Sequence, residues 1–181
     1  MNIKLFDDYD IPCYCTFETK NKYGISKDNF IKLEDKKIYV INNDIKVMSF
    51  NVMHGDAECF GFIFNDKEDT ILFITDFMCL NKNLSNFKFN KIFIECNYIE
   101  DIIENKISNE NDKYKRQINT HMSLENLVYL LSSNLLDLSK CKEINLIHLS
   151  KELSNYNLMK NTIENELKIK TNCILYNGEI Y

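Results

Sequence analysis

Several side chains in this sequence that could bind a metal ion or move a proton stand directly after apolar runs. Asp76 follows ILFIT, Glu95 follows KIFI, and Asn97 lies two residues further on. His54 ends the run IKVMSFNVM, and His148 follows INLI. Because α/β sheets assemble their sites at strand ends, we expect these side chains to converge. A carboxylate and two imidazoles that converge in this way suit a zinc, manganese or iron site.

Each of these residues also has a plain structural interpretation. A histidine at the end of a strand is often only hydrogen-bonded, and an aspartate after an apolar run is common as a turn or cap residue. Histidine is also scarce, since the chain contains only His54, His121 and His148. Spacing alone therefore leaves both the metal site and the structural interpretation open.

The first half of the chain is predicted to form a hairpin-rich sheet. Short runs rich in β-branched and aromatic residues predict strands at 11–17, 37–41, 45–53 and 59–64. The polar triplet NND at 42–44 is a turn signal that would join the second and third of these strands as a hairpin.

The second half reads as alternating buried strands and helices. Continuous apolar runs predict strands at 71–75, 91–94 and 144–147, with a closing strand at 172–176. Ser123 can cap a helix that carries Leu124, Leu127 and Leu131 on one face, and a second helix is expected around 158–167. The polar stretch 104–120 is predicted to be a loop or a frayed helix end. Together these elements favour an α/β or α+β sandwich with helices outside the sheets.

Composition limits the class of protein. The 181 residues suit a single domain spanning 1–181, and the net charge of −5 excludes a globally basic nucleic-acid coat. A local basic cluster of Lys113, Lys115 and Arg116 precedes His121 and could meet phosphates, or could simply be a solvated loop. The start has no signal-peptide pattern, no apolar run is long enough to span a membrane, and the seven scattered cysteines suggest reduced thiols. We therefore expect a cytoplasmic protein without a membrane partner.

Five segments of the chain, taken in order, resemble the C-terminal half of the metallo-β-lactamase superfamily. They are HGDAECFGFIF, ILFITDF, KIFIECNY, THMSLENLVYLL and INLIHLSKELSN. They look most like its phosphodiesterase and nuclease branch, which includes ribonuclease Z and small exonucleases of bacteria and phages. The resemblance runs from about Ile38 to the C-terminus. Residues 1–37 are more weakly similar to the segment that follows the family's first metal motif. The resemblance implies an αββα sandwich.

The resemblance also implies residue roles. His54 matches a ligand of the first metal ion, Asp76 the catalytic carboxylate that bridges two ions, and His148 a ligand of the second ion. His121 matches a catalytic histidine that stabilises charge on the phosphate or protonates the leaving oxygen. Asn97 and Ser123 stand where polar contacts with the substrate could occur. The implied cofactors are two divalent ions, Zn or Mn, which would lower the pKa of a bridging water and hold a phosphodiester oxygen.

One motif of this family is absent. The family's strongest signature is HxHxDH, and three histidines at 54, 121 and 148 cannot contain it. The sequence is thus expected to be an N-terminally truncated version of the fold, without its first strands. A split gene with a complementing N-terminal polypeptide, a misassigned start codon, or a degenerate protein that binds without catalysis would each explain the absence. A homo-oligomer is another possible partner.

Three functions follow as alternatives. The first is a metal-dependent phosphodiesterase or nuclease, with nucleic acid or another phosphodiester as substrate. The second is a non-catalytic binding or regulatory protein that retains the fold, and the third is a protein with a mononuclear site formed by His54, Asp76 and His148. Hydrolysis of β-lactams is not favoured, because the words SLE and HLS are typical of phosphodiesterases and no export signal is present.

Overall fold

The computed structural model describes residues 9–107, 112–176 and 178–180. In that part of the chain the strands are β1 (Cys13–Cys15), β2 (Phe30–Lys32), β3 (Lys37–Val40), β4 (Lys46–His54), β5 (Ala57–Asn65), β6 (Thr70–Ile74), β7 (Lys91–Glu95), β8 (Glu143–Ile147) and β9 (Lys170–Cys173). The helices are α1 (Phe17–Tyr23), α2 (Glu100–Ile107), α3 (Asp112–Ile118), α4 (Leu124–Leu131) and α5 (Tyr156–Leu167). None of the helices in these ranges has the length and apolar composition to cross a membrane.

Seven strands form one large sheet in the order in which they occur along the chain. Strands β3 to β6 are antiparallel neighbours, and β6 to β9 are parallel neighbours. The predicted turn at 42–44 joins β3 and β4, where Asn42 Oδ1 accepts hydrogen bonds from the backbone N–H groups of Asp44 and Ile45. The parallel half places the carboxyl ends of β6, β7 and β8 side by side at one edge of the sheet.

Helices α4 and α5 cover one face of the large sheet. The apolar side chains on that face form one buried core with the helices, including Phe50, Ile74, Ile94, Leu127 and Ile163. Strands β6, β7 and β8 alternate so that Leu72, Ile92 and Ile144 point into this core. Burial of this continuous apolar layer is the main force that holds the strand ends in place.

The opposite face of the large sheet is aromatic and only half-buried. It carries Phe60, Phe62 and Phe64 on β5, Phe73 on β6 and Phe93 on β7, which the strand register places on the same side. We call these five residues the aromatic face. Phe73 and Phe93 have ring centroids 6.3 Å apart, and Phe62 and Phe64 have theirs 6.2 Å apart.

Strands β1 and β2 form a separate small sheet of two parallel strands. The small sheet is attached to the β3 edge of the aromatic side. Tyr14 packs edge-on against Tyr39 at 5.2 Å, and the Tyr39 hydroxyl donates a hydrogen bond to the carbonyl of Lys32 at 2.7 Å. Ser49 Oγ donates to the carbonyl of Glu34 at 2.6 Å. The small sheet therefore lies over β3 to β5.

Three expectations about elements are corrected. The stretch 104–120, expected to be a loop or a frayed helix end, contains the last turn of α2 up to Ile107 and all of α3, followed by a turn at 119–120, while residues 108–111 lie outside the described residues. Strand 11–17 is only three residues long, since Thr16 accepts a hydrogen bond from Thr19 N and begins α1. The closing strand is β9, which begins and ends earlier than 172–176. The capped helix after Ser123 is confirmed.

Gly61 sits opposite Phe50 in the β4–β5 pair, and we expect Gly61→Ala to destabilise the fold. A Cβ at Gly61 would lie 2.5 Å from Phe50 Cζ and 2.7 Å from Phe50 Cε2, and the Phe50 ring is fully buried. Overpacking of this kind costs about 1–3 kcal/mol. Urea unfolding would measure it, and the cost should shrink when Gly61→Ala is made in a Phe50→Leu background. An equal cost in both backgrounds contradicts this explanation.

Candidate metal and proton-transfer site

His54 stands at the end of the β4–β5 hairpin. The register pairs His54 with Ala57, so the turn consists of two residues, and its first is Gly55 with φ +55°. Here the hairpin meets the segment before His121, because His54 Nδ1 lies 2.6 Å from the carbonyl oxygen of Thr120. A carbonyl oxygen can only accept, so Nδ1 carries the proton. The other ring nitrogen, Nε2, is left with its lone pair free to bind a metal ion.

Asp76, Glu95 and His148 lie at the carboxyl ends of the parallel neighbours β6, β7 and β8. Asp76 and His148 both have left-handed backbone, with φ values of +50° and +57°. This conformation is unfavourable for residues with a Cβ and is concentrated at functional positions. The convergence expected from the strand ends is therefore present, and two of its members are held in strained backbone.

Glu95 is the buried carboxylate that connects His121 and His148. Its carboxylate is fully buried, and Oε2 accepts a hydrogen bond from Phe77 N at 3.1 Å. Oε1 lies 2.6 Å from His121 Nδ1 and 3.2 Å from His148 Nδ1. Burial raises the pKa of Glu95, but the hydrogen bonds from the two histidines outweigh it and hold the pKa below its usual value. The hydrogen bond to Glu95 likewise raises the pKa of His148, although burial opposes it.

His121 lies between α3 and α4, and its ring is close to both of the other histidines. Its ring centroid is 4.8 Å from that of His54 and 5.2 Å from that of His148. The 2.6 Å separation from Glu95 is a hydrogen-bond distance and is too short for both atoms to bind one ion, because ligands of the same ion lie about 3 Å or more apart. Glu95 thus orients His121 and leaves its Nε2 free.

Asp76 lies between two histidines at distances that suit metal binding. Its Oδ1 is 4.0 Å from His54 Nε2 and 3.8 Å from His148 Nδ1. Two ligands about 2.1 Å from a tetrahedral ion are about 3.4 Å apart, so a small side-chain rotation would close the gap between Asp76 and His54 around an ion. His148 Nδ1 also faces Glu95 Oε1 at 3.2 Å, so His148 would give up that hydrogen bond to bind an ion through the same atom. Within the described ranges, two groups have ligand atoms that all lie within 4.8 Å of one another: His54, Asp76 and His121, and Glu95, His121 and His148. Because Glu95 and His121 are too close to share an ion, the first of these groups is the one that fits a divalent ion.

Asn97 holds the backbone of His148 through a hydrogen bond. Its Nδ2 donates to the carbonyl of His148 at 2.8 Å, and its Oδ1 accepts a hydrogen bond from Gln117 Nε2. The Asn97 backbone carbonyl accepts from Ser150 N and Ser154 Oγ at 2.9 and 3.0 Å. The side chain is buried, with both polar groups already bonded. These bonds fit a positioning role for Asn97, and the substrate contact expected from the sequence stays a prediction.

Ser123 caps the helix that follows His121. It is fully buried, its Oγ accepts from Asn126 N at 3.1 Å as the cap of α4, and the same oxygen donates to Glu100 Oε1 at 2.8 Å. A substrate contact at Ser123 stays a prediction. The structure shows that Ser123 begins α4 two residues after His121.

Glu95 is the site residue that the sequence interpretation did not assign. The sequence indicated its place at a strand end, but its partners are 26 and 53 residues further along the chain. The basic cluster lies on α3, where Lys113 pairs with Glu152 at 2.9 Å and the side chains of Lys115 and Arg116 are exposed. A contact of this cluster with phosphates stays a prediction.

We expect His148→Gly to be more stable than His148→Ala. With φ at +57°, alanine keeps the strain of a Cβ in left-handed backbone, whereas glycine does not, and the difference is about 1 kcal/mol. Chemical unfolding of the metal-free variants measures it. Leu149, which has no positive φ, provides the control, since there glycine should be the less stable of the two. Alanine and glycine of equal stability at 148 would show that the backbone is not strained.

No protein-family model and no curated protein sequence matches the chain. Solved structures do match. YhfI from Bacillus subtilis, a metallo-β-lactamase fold protein, superposes with a TM-score of 0.66 at 13% identity, over 94% of this chain and 64% of YhfI. Igni18 from Ignicoccus hospitalis, described as a metallo hydrolase, gives 0.69 at 9% identity, over 99% of this chain and 71% of Igni18. A diphosphatase of the PhnP family gives 0.57 at 15% identity, over 94% and 57% of the two chains.

These likenesses define the class of fold. The chain has the metallo-β-lactamase fold, which confirms the resemblance found in the sequence and the α/β fold class inferred from it. It spans less than two thirds of the length of YhfI and of the diphosphatase.

Proposed function

We propose that this chain carries the metal-binding and proton-transfer groups of a metal-dependent phosphodiesterase. The observation that carries the proposal is the convergence of three imidazoles and two carboxylates at one end of the large sheet, with a buried Glu95–His121 pair among them. The fold supports it, because its solved relatives include a metallo hydrolase and a diphosphatase.

In this proposal His54, Asp76 and His148 hold divalent ions. Imidazole and carboxylate together suit Zn or Mn, and Asp76 lies between the two histidines, where a carboxylate can bridge. A bound ion would polarise a phosphoryl oxygen and lower the pKa of a water molecule. The protonated Nδ1 of His54, held by the Thr120 carbonyl, keeps Nε2 directed at Asp76 without any adjustment of the tautomer.

His121 is the proposed proton donor. Its Nδ1 is bonded to Glu95, which orients the ring, while Nε2 is free to give a proton to the leaving oxygen. The arrangement resembles other carboxylate–histidine pairs, in which the carboxylate sets the tautomer and the ring moves the proton. Because His121 lies between His54 and His148, its Nε2 can reach a phosphate held by either metal group.

Hydrolysis of bis(p-nitrophenyl) phosphate with Mn or Zn tests the proposal. We expect His121→Ala to lower kcat by about 10²- to 10⁴-fold, the usual worth of a general acid. Asn119→Ala, an exposed neighbour two residues away, should leave kcat unchanged. The assay is run on the full chain, once with Mn and once with Zn. No hydrolysis under either condition, or equal rates for wild type and His121→Ala, contradicts the proposal.

A second candidate is a protein that binds metal or phosphate without catalysis. The observation that favours it is that both metal groups include His121, so this chain alone cannot give three ligands to two ions and also keep His121 as a proton donor. The two candidates differ in one outcome. A binding protein would take up metal and a phosphodiester without turning it over in either form of the assay.

A further inference from the structure

A cavity of 590 Å³ lies in the helical layer, next to the metal groups but separate from them. It is lined by α2, the end of α3, α4 and the segment 78–80 that follows Asp76, and we call it the helix cavity. Within the described residues, none of the members of the two metal groups lines it. Its volume falls within the range of about 300–1,000 Å³ that is usual for small-molecule sites. The helix cavity is therefore a candidate binding site of its own.

The wall of the helix cavity is mostly apolar and aromatic. Leu80, Ile103 and Met122 line it with buried aliphatic or thioether side chains. Two tyrosines add aromatic surface at different depths, because Tyr98 is buried whereas Tyr129 is 79% exposed. A wall of this composition favours a ligand with an apolar body, which displaces water from these side chains.

The charged groups that line the helix cavity are negative. They are Glu100 and Glu104, and among the described residues no lysine or arginine lines it. Neither carboxylate belongs to any of the ion pairs within the described ranges. The tyrosine in the wall responds to this charge, since burial and then the charges of Glu100 and Glu125 raise the pKa of Tyr98 to about 12. An anionic ligand is therefore disfavoured here.

The two carboxylates lie one turn apart on α2. Glu100 stands in the first turn, where the helix dipole favours an acidic residue, and its Oε1 accepts a hydrogen bond from Ser123 Oγ at 2.8 Å. Glu104 lies beyond that turn, and like charges four residues apart destabilise a helix. A cation bound between the two carboxylates would remove this repulsion.

The chemistry of the wall fits an organic cation better than a metal ion. Within the described ranges, the groups of three ligand residues whose atoms lie within 4.8 Å of one another include neither Glu100 nor Glu104. Hard metal ions also require a shell of oxygen ligands, which a mostly apolar wall does not supply. An organic cation carries its charge on a body that apolar side chains can contact, and quaternary ammonium groups in particular bind to aromatic rings.

We infer that the helix cavity is a binding site for an organic cation with an apolar body, of the class of quaternary ammonium compounds. The charge would lie between the carboxylates of Glu100 and Glu104 and near the ring of Tyr129, while the apolar body would contact Leu80 and Ile103. The inference rests on the shape and charge of this cavity and not on the proposed activity, so either can fail without the other.

The probe for the experiment is benzyltrimethylammonium, with benzyl alcohol and benzoate as its neutral and anionic counterparts. Each is titrated into the full chain with isotope-labelled methionine methyl groups, and binding is followed by NMR. We expect saturable shifts of the methyl resonances of Met78 and Met122, which line the cavity, and none for Met48 and Met159, which do not. The cation should bind at least about 10-fold more tightly than benzyl alcohol, and benzoate should bind most weakly.

Glu104→Gln tests the charge of the cavity, because the amide keeps the shape of the side chain. We expect it to weaken binding of benzyltrimethylammonium by about 3- to 5-fold and to leave binding of benzyl alcohol unchanged. Glu166→Gln is the matched control and should leave binding of both probes unchanged, since Glu166 is an exposed glutamate on α5 that does not line the cavity.

Three outcomes would overturn the inference. One is the absence of shifts at Met78 and Met122 with about 10 mM benzyltrimethylammonium. Another is binding of benzyl alcohol or benzoate as tightly as the cation, which would make this a site for neutral or anionic ligands. The third is an equal effect of Glu104→Gln and Glu166→Gln on binding of the cation. The first two comparisons use only wild-type protein, so they remain decisive if a variant does not fold.

Discussion

Asp76→Asn is expected to weaken binding of Zn or Mn to the chain by at least about 100-fold. Even the residues that only orient metal ligands are worth about 10- to 100-fold in affinity, and Asp76 is the carboxylate that stands between His54 and His148. The amide keeps the size of the side chain but removes its charge and one of its two acceptor oxygens. Calorimetric titration of the metal-free protein measures the affinity.

Asp56→Asn is the control for this change. Asp56 is an exposed carboxylate in the hairpin turn two residues after His54, so it tests whether any loss of negative charge near the site has the same effect. Chemical unfolding should show that both variants are folded, since Asp76 is half-exposed and lies outside the apolar core. Equal affinities for wild type and Asp76→Asn would exclude Asp76 as a ligand.

Glu95→Gln is expected to have the second large effect, on stability and on the site together. The buried carboxylate accepts from Phe77 N on one oxygen and faces two histidine nitrogens with the other. Glutamine has only one acceptor oxygen, so its amide group must face a donor whichever way it is placed. A buried donor left unsatisfied costs about 1–3 kcal/mol, and the loss of an orienting carboxylate lowers metal affinity by about 10- to 100-fold.

Two measurements separate these effects. Urea unfolding of the metal-free protein gives the loss of stability, and metal titration of the folded variant gives the loss of affinity. Glu143→Gln serves as the control, because Glu143 begins β8 at the opposite end of the sheet and bonds only Asn145 and Lys170. If Glu95→Gln matched Glu143→Gln in both measurements, the buried pair with His121 would have no special role.

The strand ends of the parallel half could be predicted from the sequence because two simple rules apply there. Continuous apolar runs indicate strands buried on both faces, and parallel neighbours bring their carboxyl ends to one edge. Asp76 and His148 follow from these rules. The hairpin that positions His54 is also compatible with simple sequence rules, because a two-residue turn that begins with glycine joins two alternating strands.

The role of Glu95 and the elements around His121 could not be predicted in the same way. The sequence near a glutamate at a strand end does not indicate whether its side chain is buried, and only the tertiary structure shows that His121 and His148 lie within hydrogen-bond distance of Glu95. Helices α2 and α3 could not be predicted from an apolar pattern, because their sequences are mostly polar. They are held by a few contacts, among them those of Ile103 and Tyr114 with Leu153, which is distant in the sequence.

Anomalous diffraction at the zinc edge, from crystals of the chain grown with Zn²⁺, tests whether these residues form a metal centre. We predict an anomalous peak among His54, Asp76 and His121 or beside His148 and Asp76, within about 2.0–2.2 Å of their ligand atoms. Absence of any peak at these residues, with zinc bound only elsewhere on the surface, would contradict the assignment of this end of the sheet as a metal centre.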